Sequence, residues 1–158
     1  MIEESIQTFK KEIPWNLLTI QNNKNMPFPI DEKYITETER ELGILFPDNF
    51  KSKMMKENGG ELMTDDDDWN LYPFFDKSDK KRISRTCNHI GSETKEAQDW
   101  SNFPSNGIAI ASNGSGDHLV LLPIKGNKEK LSDEIFVWYH ETGNIEKVAD
   151  KIDELIEH

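Results

Sequence analysis

The chain has little of what typifies secreted and membrane proteins. Cys87 is its one cysteine, so no intrachain disulfide can form, as is usual in a reducing compartment. The first residues, MIEESIQTFKKEIPW, carry acids and no apolar run, which predicts no secretory signal. No segment approaches the roughly 20 apolar residues of a membrane span. These absences predict a cytoplasmic protein that is not associated with a membrane.

Positive charge is also scarce. Against 30 acidic residues the chain has 19 basic ones, which gives a formal net charge of -11. A nucleic-acid-binding protein needs cations that replace the counterions of phosphate, so this balance disfavours that class. An acidic surface favours solubility and the attraction of basic partners. The composition therefore predicts no nucleic-acid partner and is compatible with a basic protein partner.

The length of 158 residues fits one domain, which we place at residues 1–158. Apolar residues at Ile2, Ile6, Phe9 and Ile13 form one stripe of an amphipathic helix that Pro14 ends. Loop-like composition follows this helix. Residues 1–30 are therefore predicted to be an N-terminal helical extension of the domain.

Two short helices are predicted next. Asp31 can cap a helix that Gly43 stops, since glycine readily adopts a positive φ. Pro47 opens the second helix, where its missing N–H is harmless, and Asn58-Gly59-Gly60 ends it.

The remainder of the chain is read mostly as strands. Trp69–Phe75 is strand-like, residues 108–124 form a hairpin with a Gly-rich turn, and Ile135–Tyr139 is a central strand. Residues 77–85 are interpreted as either a short helix or an exposed loop, and residues 92–100 as helical. Apolar residues from Ile145 to Ile156 share one helical face, which predicts a closing helix. Together these elements predict an α+β fold, with N-terminal helices and a C-terminal helix packed on a mostly antiparallel sheet.

Three motifs in this order resemble the SUKH superfamily, in particular the group of the yeast cell-wall assembly regulator and killer-toxin resistance protein. They are Glu39-Arg-Glu-Leu42-Gly43 followed by Phe46-Pro47 and Phe50, then Asn58-Gly59-Gly60, then Ile110-Ala111-Ser-Asn-Gly114-Ser-Gly116-Asp117 before an apolar strand. The resemblance spans roughly Ile30 to the C-terminus. Pro123 stands near the place where the family often carries an Asp, and residues 61–106 match poorly, so no partner identity is carried over.

The resemblance implies a binding protein and not an enzyme. Bacterial members of the superfamily are best known as immunity proteins, which bind and neutralise toxin domains, many of them nucleases or deaminases. Eukaryotic members act as regulatory interaction modules. A SUKH-like fold is implied with no cofactor and no catalytic residue.

The run of four acids from Asp65 to Asp68 is the sharpest local feature. Carboxylates bind Ca²⁺ or Mg²⁺, but adjacent side chains diverge, and the alternating spacing and distant Glu of an EF-hand loop are absent. A solvated loop and a partner-facing acidic patch are the other interpretations. Aromatic residues beside charge suit an interface with a basic protein. The candidate partner-binding residues are Asp65, Asp66, Asp67, Asp68, Trp69, Tyr72, Trp100 and Phe103.

Other clusters give no catalytic signal. Cys87 and His89 lack a second pair at zinc spacing, and Ser115 to His118 lacks the G-x-S-x-G elbow of a nucleophile. Trp138 is interpreted as core. For Trp100 both a core plug and an exposed contact remain open.

The sequence thus predicts a cytoplasmic protein-binding module, and foremost an immunity protein that neutralises a bacterial toxin of nuclease or deaminase type. One alternative is a regulatory module of cell-wall assembly or signalling with no toxin partner. The alternative from another class is a metal-dependent hydrolase that uses the Asp run.

Overall fold

The computed structural model describes residues 27–156. The helix predicted at residues 2–13 lies outside this range, as does most of the extension predicted at residues 1–30. Helices come first, and the strands follow with two further helices between them. In chain order the elements are α1 Glu32–Leu42, α2 Asp48–Lys56, β1 Gly60–Met63, β2 Asp68–Leu71, α3 Lys80–Arg85, α4 Ile90–Gln98, β3 Ile108–Ser112, β4 His118–Ile124, β5 Asn127–Trp138, β6 Ile145–Ala149 and the 3₁₀ helix η1 Ile152–Glu154.

The six strands form one curled sheet in sequence order, β1-β2-β3-β4-β5-β6. Every pair of neighbouring strands is antiparallel. The predicted α+β class with an antiparallel sheet is therefore confirmed, as are the hairpin of β3 and β4 and the strand at Ile135. None of the helices in residues 27–156 is long and apolar enough to cross a membrane.

The two predicted N-terminal helices begin and end as expected. The backbone N–H of Lys33 donates to Asp31 Oδ1 at 2.9 Å, which caps α1. Gly43, with φ of 73°, ends α1 through a hydrogen bond from its N–H to Glu39 O. Pro47 is the N-cap of α2.

Two buried polar side chains explain why the first two motifs have their spacing. Glu39 Oε2 accepts from the backbone N–H of Phe46 at 2.9 Å and lies 3.4 Å from Lys51 Nζ, so α1 holds the start of α2. Asn58 donates to Phe74 O at 2.9 Å and accepts from Phe74 N at 2.8 Å. A buried backbone segment after β2 thereby receives both hydrogen bonds that it needs.

An aromatic cluster joins the helices to this segment. Phe46 lies 5.5 Å from Phe50 and 5.0 Å from Phe74, measured between ring centroids. On the other side of the core, Thr94 of α4 is fully buried against β3. Its hydroxyl accepts from Ala109 N at 3.0 Å, next to a break in register between β3 and β4.

The predicted closing helix is wrong. Residues 145–149 are strand β6, which pairs with β5 from Ile135↔Ala149 to Trp138↔Ile145, and only residues 152–154 are helical, as the short 3₁₀ turn. Gly143 (φ 79°) and the bond from its N–H to Tyr139 O close a tight turn that returns the chain along β5. Pairing along that edge outweighs the helical spacing of the apolar residues, because tertiary context overrides local propensity.

Candidate functional site: an acidic groove

The turn between β1 and β2 presents the start of the Asp run. Thr64 and Asp67 close this turn, with Thr64 N donating to Asp67 O at 2.9 Å. The indole N–H of Trp69 donates to Thr64 Oγ1 at 3.0 Å and fixes the turn from below. Asp65 and Asp66 therefore stand exposed at its tip.

The four carboxylates do not converge. Asp67 is tied down, because its Oδ1 accepts from Asp68 N at 3.0 Å and its Oδ2 accepts from Asn113 Nδ2 at 2.8 Å. Asp68 already belongs to β2 and is exposed. Within residues 27–156 no group of three or more His, Cys, Asp or Glu side chains is arranged to hold a metal ion.

A groove of about 880 Å³ opens beside this turn. The β1–β2 turn forms one wall, and β6 with η1 forms the other. The groove is lined by Met63, Thr64, Asp65, Asp66, Asp67, Trp69, Val137, Tyr139, Glu146, Lys147, Val148, Glu154 and Leu155. Its floor is thus apolar and aromatic, and its walls are acidic.

The charge of this lining is strongly negative. Among the described residues of the lining, Lys147 is the one cation against five carboxylates, and its ammonium group already contacts two acids outside the lining, Glu134 and Asp150. Hydrogen bonds to those acids raise the pKa of Lys147. The Tyr139 hydroxyl donates to Glu146 Oε1 at 2.9 Å, and this bond raises the pKa of Tyr139. The carboxylates of the groove are therefore not neutralised by cations that line it.

The four aromatic residues among the candidate partner-binding residues differ in solvent exposure. Trp69 is 2% exposed, and Tyr72 and Phe103 are also buried, so these three side chains lie beneath the surface. Trp100 is 50% exposed. Trp138 is fully buried, as expected of a core residue.

Tyr72 belongs to a buried polar and aromatic cluster behind the sheet. Its hydroxyl lies 3.1 Å from His118 Nδ1, and the His118 ring stacks on Trp138 at 5.7 Å. Burial raises the pKa of Tyr72 to about 12 and lowers the pKa of His118. Both groups are thus held neutral near pH 7.

The Gly-rich turn of the third motif positions Asp117. Its Oδ1 accepts from the backbone N–H of His140 at 3.0 Å and lies 2.7 Å from His140 Nδ1. Partial burial opposes ionisation of Asp117, but the hydrogen bonds from His140 and Asn113 outweigh it and lower its pKa. Asn113 also reaches Asp67, so one network joins the end of β5 to the acidic turn.

Sequence reasoning missed the second wall of the groove. Tyr139 was predicted to lie in a central strand, and Glu146 and Glu154 fall in the segment that was predicted to form a closing helix. A turn signal at Glu141 to Asn144 followed by β-branched Ile145 and Val148 is the one local hint of β6. That the two ends of a six-stranded sheet approach each other follows only from its curl.

The family model described as the SMI1/KNR4 family (SUKH-1) matches residues 29–158. A search of the curated proteins found no match. The matched range includes all three motifs together with both walls of the groove. Since the match extends over well over half of the chain, the protein belongs to the SMI1/KNR4 family (SUKH-1).

Proposed function

We propose that this protein is an immunity protein that binds a basic bacterial toxin domain and blocks it. Members of its family are generally binding modules without enzymatic activity, and an immunity or protein-interaction role is consistent with the membership. The observation that carries the proposal is the acidic groove, whose described lining has five carboxylates and one lysine and also exposes the apolar side chain of Met63. We place the protein in the cytoplasm and treat residues 1–158 as one domain.

The partner chemistry follows from charge. A nuclease or a nucleic-acid deaminase needs a cationic surface to hold phosphates. Such a surface is attracted to an acidic groove, which speeds encounter and orients the two proteins. Occupying that surface excludes the substrate without any reaction on the part of the immunity protein. Met63, which lines the groove and is 59% exposed, supplies apolar area whose burial slows dissociation.

The regulatory module with no toxin partner is the rival function within the same family. Both functions use protein binding, so the groove alone does not discriminate them. The protein encoded beside this one discriminates the two functions. If that neighbour contains a toxin domain, rescue by this protein of a host that expresses the toxin domain supports immunity. Rescue that fails while the toxin is active contradicts it.

The tips of the acidic turn provide the sharpest test of the groove. The Asp65→Asn/Asp66→Asn variant neutralises two carboxylates that accept no hydrogen bond from residues 27–156, whereas Asp67 keeps its bonds. The matched control is Glu129→Gln/Asp133→Asn, which removes two exposed carboxylates of β5 that do not line the groove. We expect the association rate with the toxin domain at low salt to fall about tenfold in the first variant and to change little in the control.

Association rates that are equal in the two variants would contradict the role of the groove. Salt provides a second readout, because added NaCl should slow association of the unmodified protein more than that of the Asp65→Asn/Asp66→Asn variant.

A further inference from the structure

Trp100 is a large apolar side chain that stays half exposed although its backbone is fixed. It follows α4, and its N–H donates to Ala97 O at 3.0 Å. Its carbonyl accepts from Phe103 N at 3.1 Å, which closes a turn over residues 100–103. Phe103 is buried and packs on Trp138 at 5.0 Å, so the turn is anchored in the core.

The same turn is fastened to the connection between β5 and β6. The indole N–H of Trp138 donates to Asn102 O at 3.0 Å, and Asn102 Nδ2 donates to His140 O at 3.2 Å. Gly143 is so close that a Cβ there would lie 2.9 Å from Asn102 Cβ. The position of Trp100 is therefore set by contacts on both sides of the turn.

The indole itself rests on two rings. Its centroid lies 6.1 Å from that of Trp138 and 5.8 Å from that of His140, with near-perpendicular planes. His140 is in turn held by Asp117. A tryptophan that is immobilised before binding loses little side-chain entropy on binding, which is a property of interface hot spots.

The surroundings of Trp100 are acidic and continuous with the groove. Asp99 precedes it, Glu141 follows His140, and both are exposed. A second depression of about 420 Å³ contains Asp117, His140 and Glu141 in its lining. Tyr139 lines both this depression and the groove, so the acidic surface runs from the β1–β2 turn past Tyr139 toward Trp100.

We propose that Trp100 is the anchor of the partner-binding surface and that it receives an arginine side chain of the basic partner. An arginine fits this setting in two ways, because its planar guanidinium stacks on an indole and can also donate to carboxylates such as those of Asp99 and Glu141. Lysine offers a strongly hydrated point charge with no plane to stack. The inference rests on the proposed binding of a basic protein and names the chemistry of one contact in it.

Leu45 is 51% exposed, about as much as Trp100, but it is aliphatic and has no ring on which a guanidinium can stack. It lies beside the start of β5, where Leu45 N donates to Glu129 O. Leu45 does not line the acidic groove, and therefore Leu45→Ala is the matched control for Trp100→Ala.

The contact can be tested without the toxin. The probes are three peptides, acetyl-Gly-Arg-Gly-Arg-Gly-amide and its lysine and citrulline counterparts, titrated into the ¹⁵N-labelled protein. The readout is the indole N–H resonance of Trp100, identified by its loss in Trp100→Phe. We expect the arginine peptide to shift this resonance with a dissociation constant of about 1 mM, and the lysine peptide to bind about threefold more weakly. The citrulline peptide, which lacks the charge, should have no effect.

The proposal is overturned if the arginine peptide leaves the Trp100 resonance unmoved or if the lysine or citrulline peptide acts equally well. With the toxin domain as partner, Trp100→Ala should raise the dissociation rate at least tenfold with little change in the association rate, and Leu45→Ala should change neither. An unchanged dissociation rate would also overturn it. Failure of the proposed function is distinct, since it appears as failed rescue of a host that expresses the active toxin domain.

Discussion

At the scale of single residues, the three motifs that mark the family are explained by packing and hydrogen bonds. Glu39 holds the start of α2, and Asn58 pairs with the backbone of Phe74. Asp117 holds His140 at the end of β5. These residues build the scaffold that carries the groove. By contrast, the acids Asp65 and Asp66 stand exposed at the tip of the β1–β2 turn.

Two glycines in the turn between β3 and β4 allow the cost of backbone strain to be distinguished from the cost of a steric clash. Gly114 and Gly116 both have positive φ, of 86° and 108°. A Cβ at Gly114 meets nothing within 4 Å, whereas one at Gly116 would lie 2.9 Å from the ring of His140. We expect Gly114→Ala to lower the free energy of unfolding by about 1–2 kcal/mol, the cost of a left-handed conformation.

Gly116→Ala should cost about 1–3 kcal/mol more, because the ring of His140 must also move. Urea unfolding of both variants measures the difference. Equal losses would mean that His140 shifts freely and that Asp117 does not fix it.

At the scale of elements, α4 begins with an unusual cap. The N-cap is His89, whose ring Nδ1 accepts from Ser92 N at 3.3 Å while the ring stacks on Phe75 at 4.6 Å. An imidazole accepts a hydrogen bond only when that nitrogen is unprotonated. Burial lowers the pKa of His89. The cap therefore fits the neutral side chain.

This cap predicts a pH dependence of stability. The pKa of His89 in the folded protein lies below its value of about 6.5 in the unfolded chain. The unfolded chain thus takes up a proton first as the pH falls through 6.5. The contribution of neutral His89 to the free energy of unfolding is therefore complete above pH 6.5. It declines as the pH falls from there toward the lower pKa of His89 in the folded state. His118, whose pKa is also lowered by burial, acts with the same sign.

The variant that tests this is His89→Asn, since asparagine caps a helix and does not titrate. We expect its free energy of unfolding to fall less between pH 7.5 and pH 5.5 than that of the unmodified protein, with part of the slope remaining because of His118. Parallel pH profiles would show that His89 has the same pKa in both states.

The helices and strands also show which features of the fold can be predicted from local sequence patterns. Asp31, Gly43, Pro47 and the glycines after Asn58 mark helix ends, and these were predicted because caps and stops are local. Strand β6 was not predicted, because the apolar residues of its sequence IEKVA are spaced in a way that suits a helix as well as a strand. Of the candidate site, the acidic turn was predicted, but the burial of Trp69 and Tyr72 was not.

At the scale of the whole molecule, the main electrostatic feature is an excess of negative charge. The formal net charge is -11, and the acids of the groove repel each other. Ion pairs such as Lys77 with Glu37 and Lys95 with Glu41 oppose this but are exposed. Pairs of that kind are worth little, so repulsion should decide the response to salt.

We therefore expect NaCl to stabilise the protein. Between about 10 mM and about 150 mM salt the Debye length falls from ~30 Å to ~8 Å, and the free energy of unfolding should rise by about 0.5 kcal/mol. The rise should be smaller in Asp65→Asn/Asp66→Asn. Destabilisation by salt would mean that ion pairs outweigh the repulsion.

The sequence alone determined the α+β class, the helix ends, the acidic surface and the family motifs, because each depends on local spacing or on composition. The tertiary structure decided where the functional surface lies. Curling of the sheet brings β6 and η1 opposite the β1–β2 turn, which makes a groove from residues about 80 positions apart. It also decided that Trp69, Tyr72 and Phe103 are buried and Trp100 is not, because burial depends on which elements pack over a side chain.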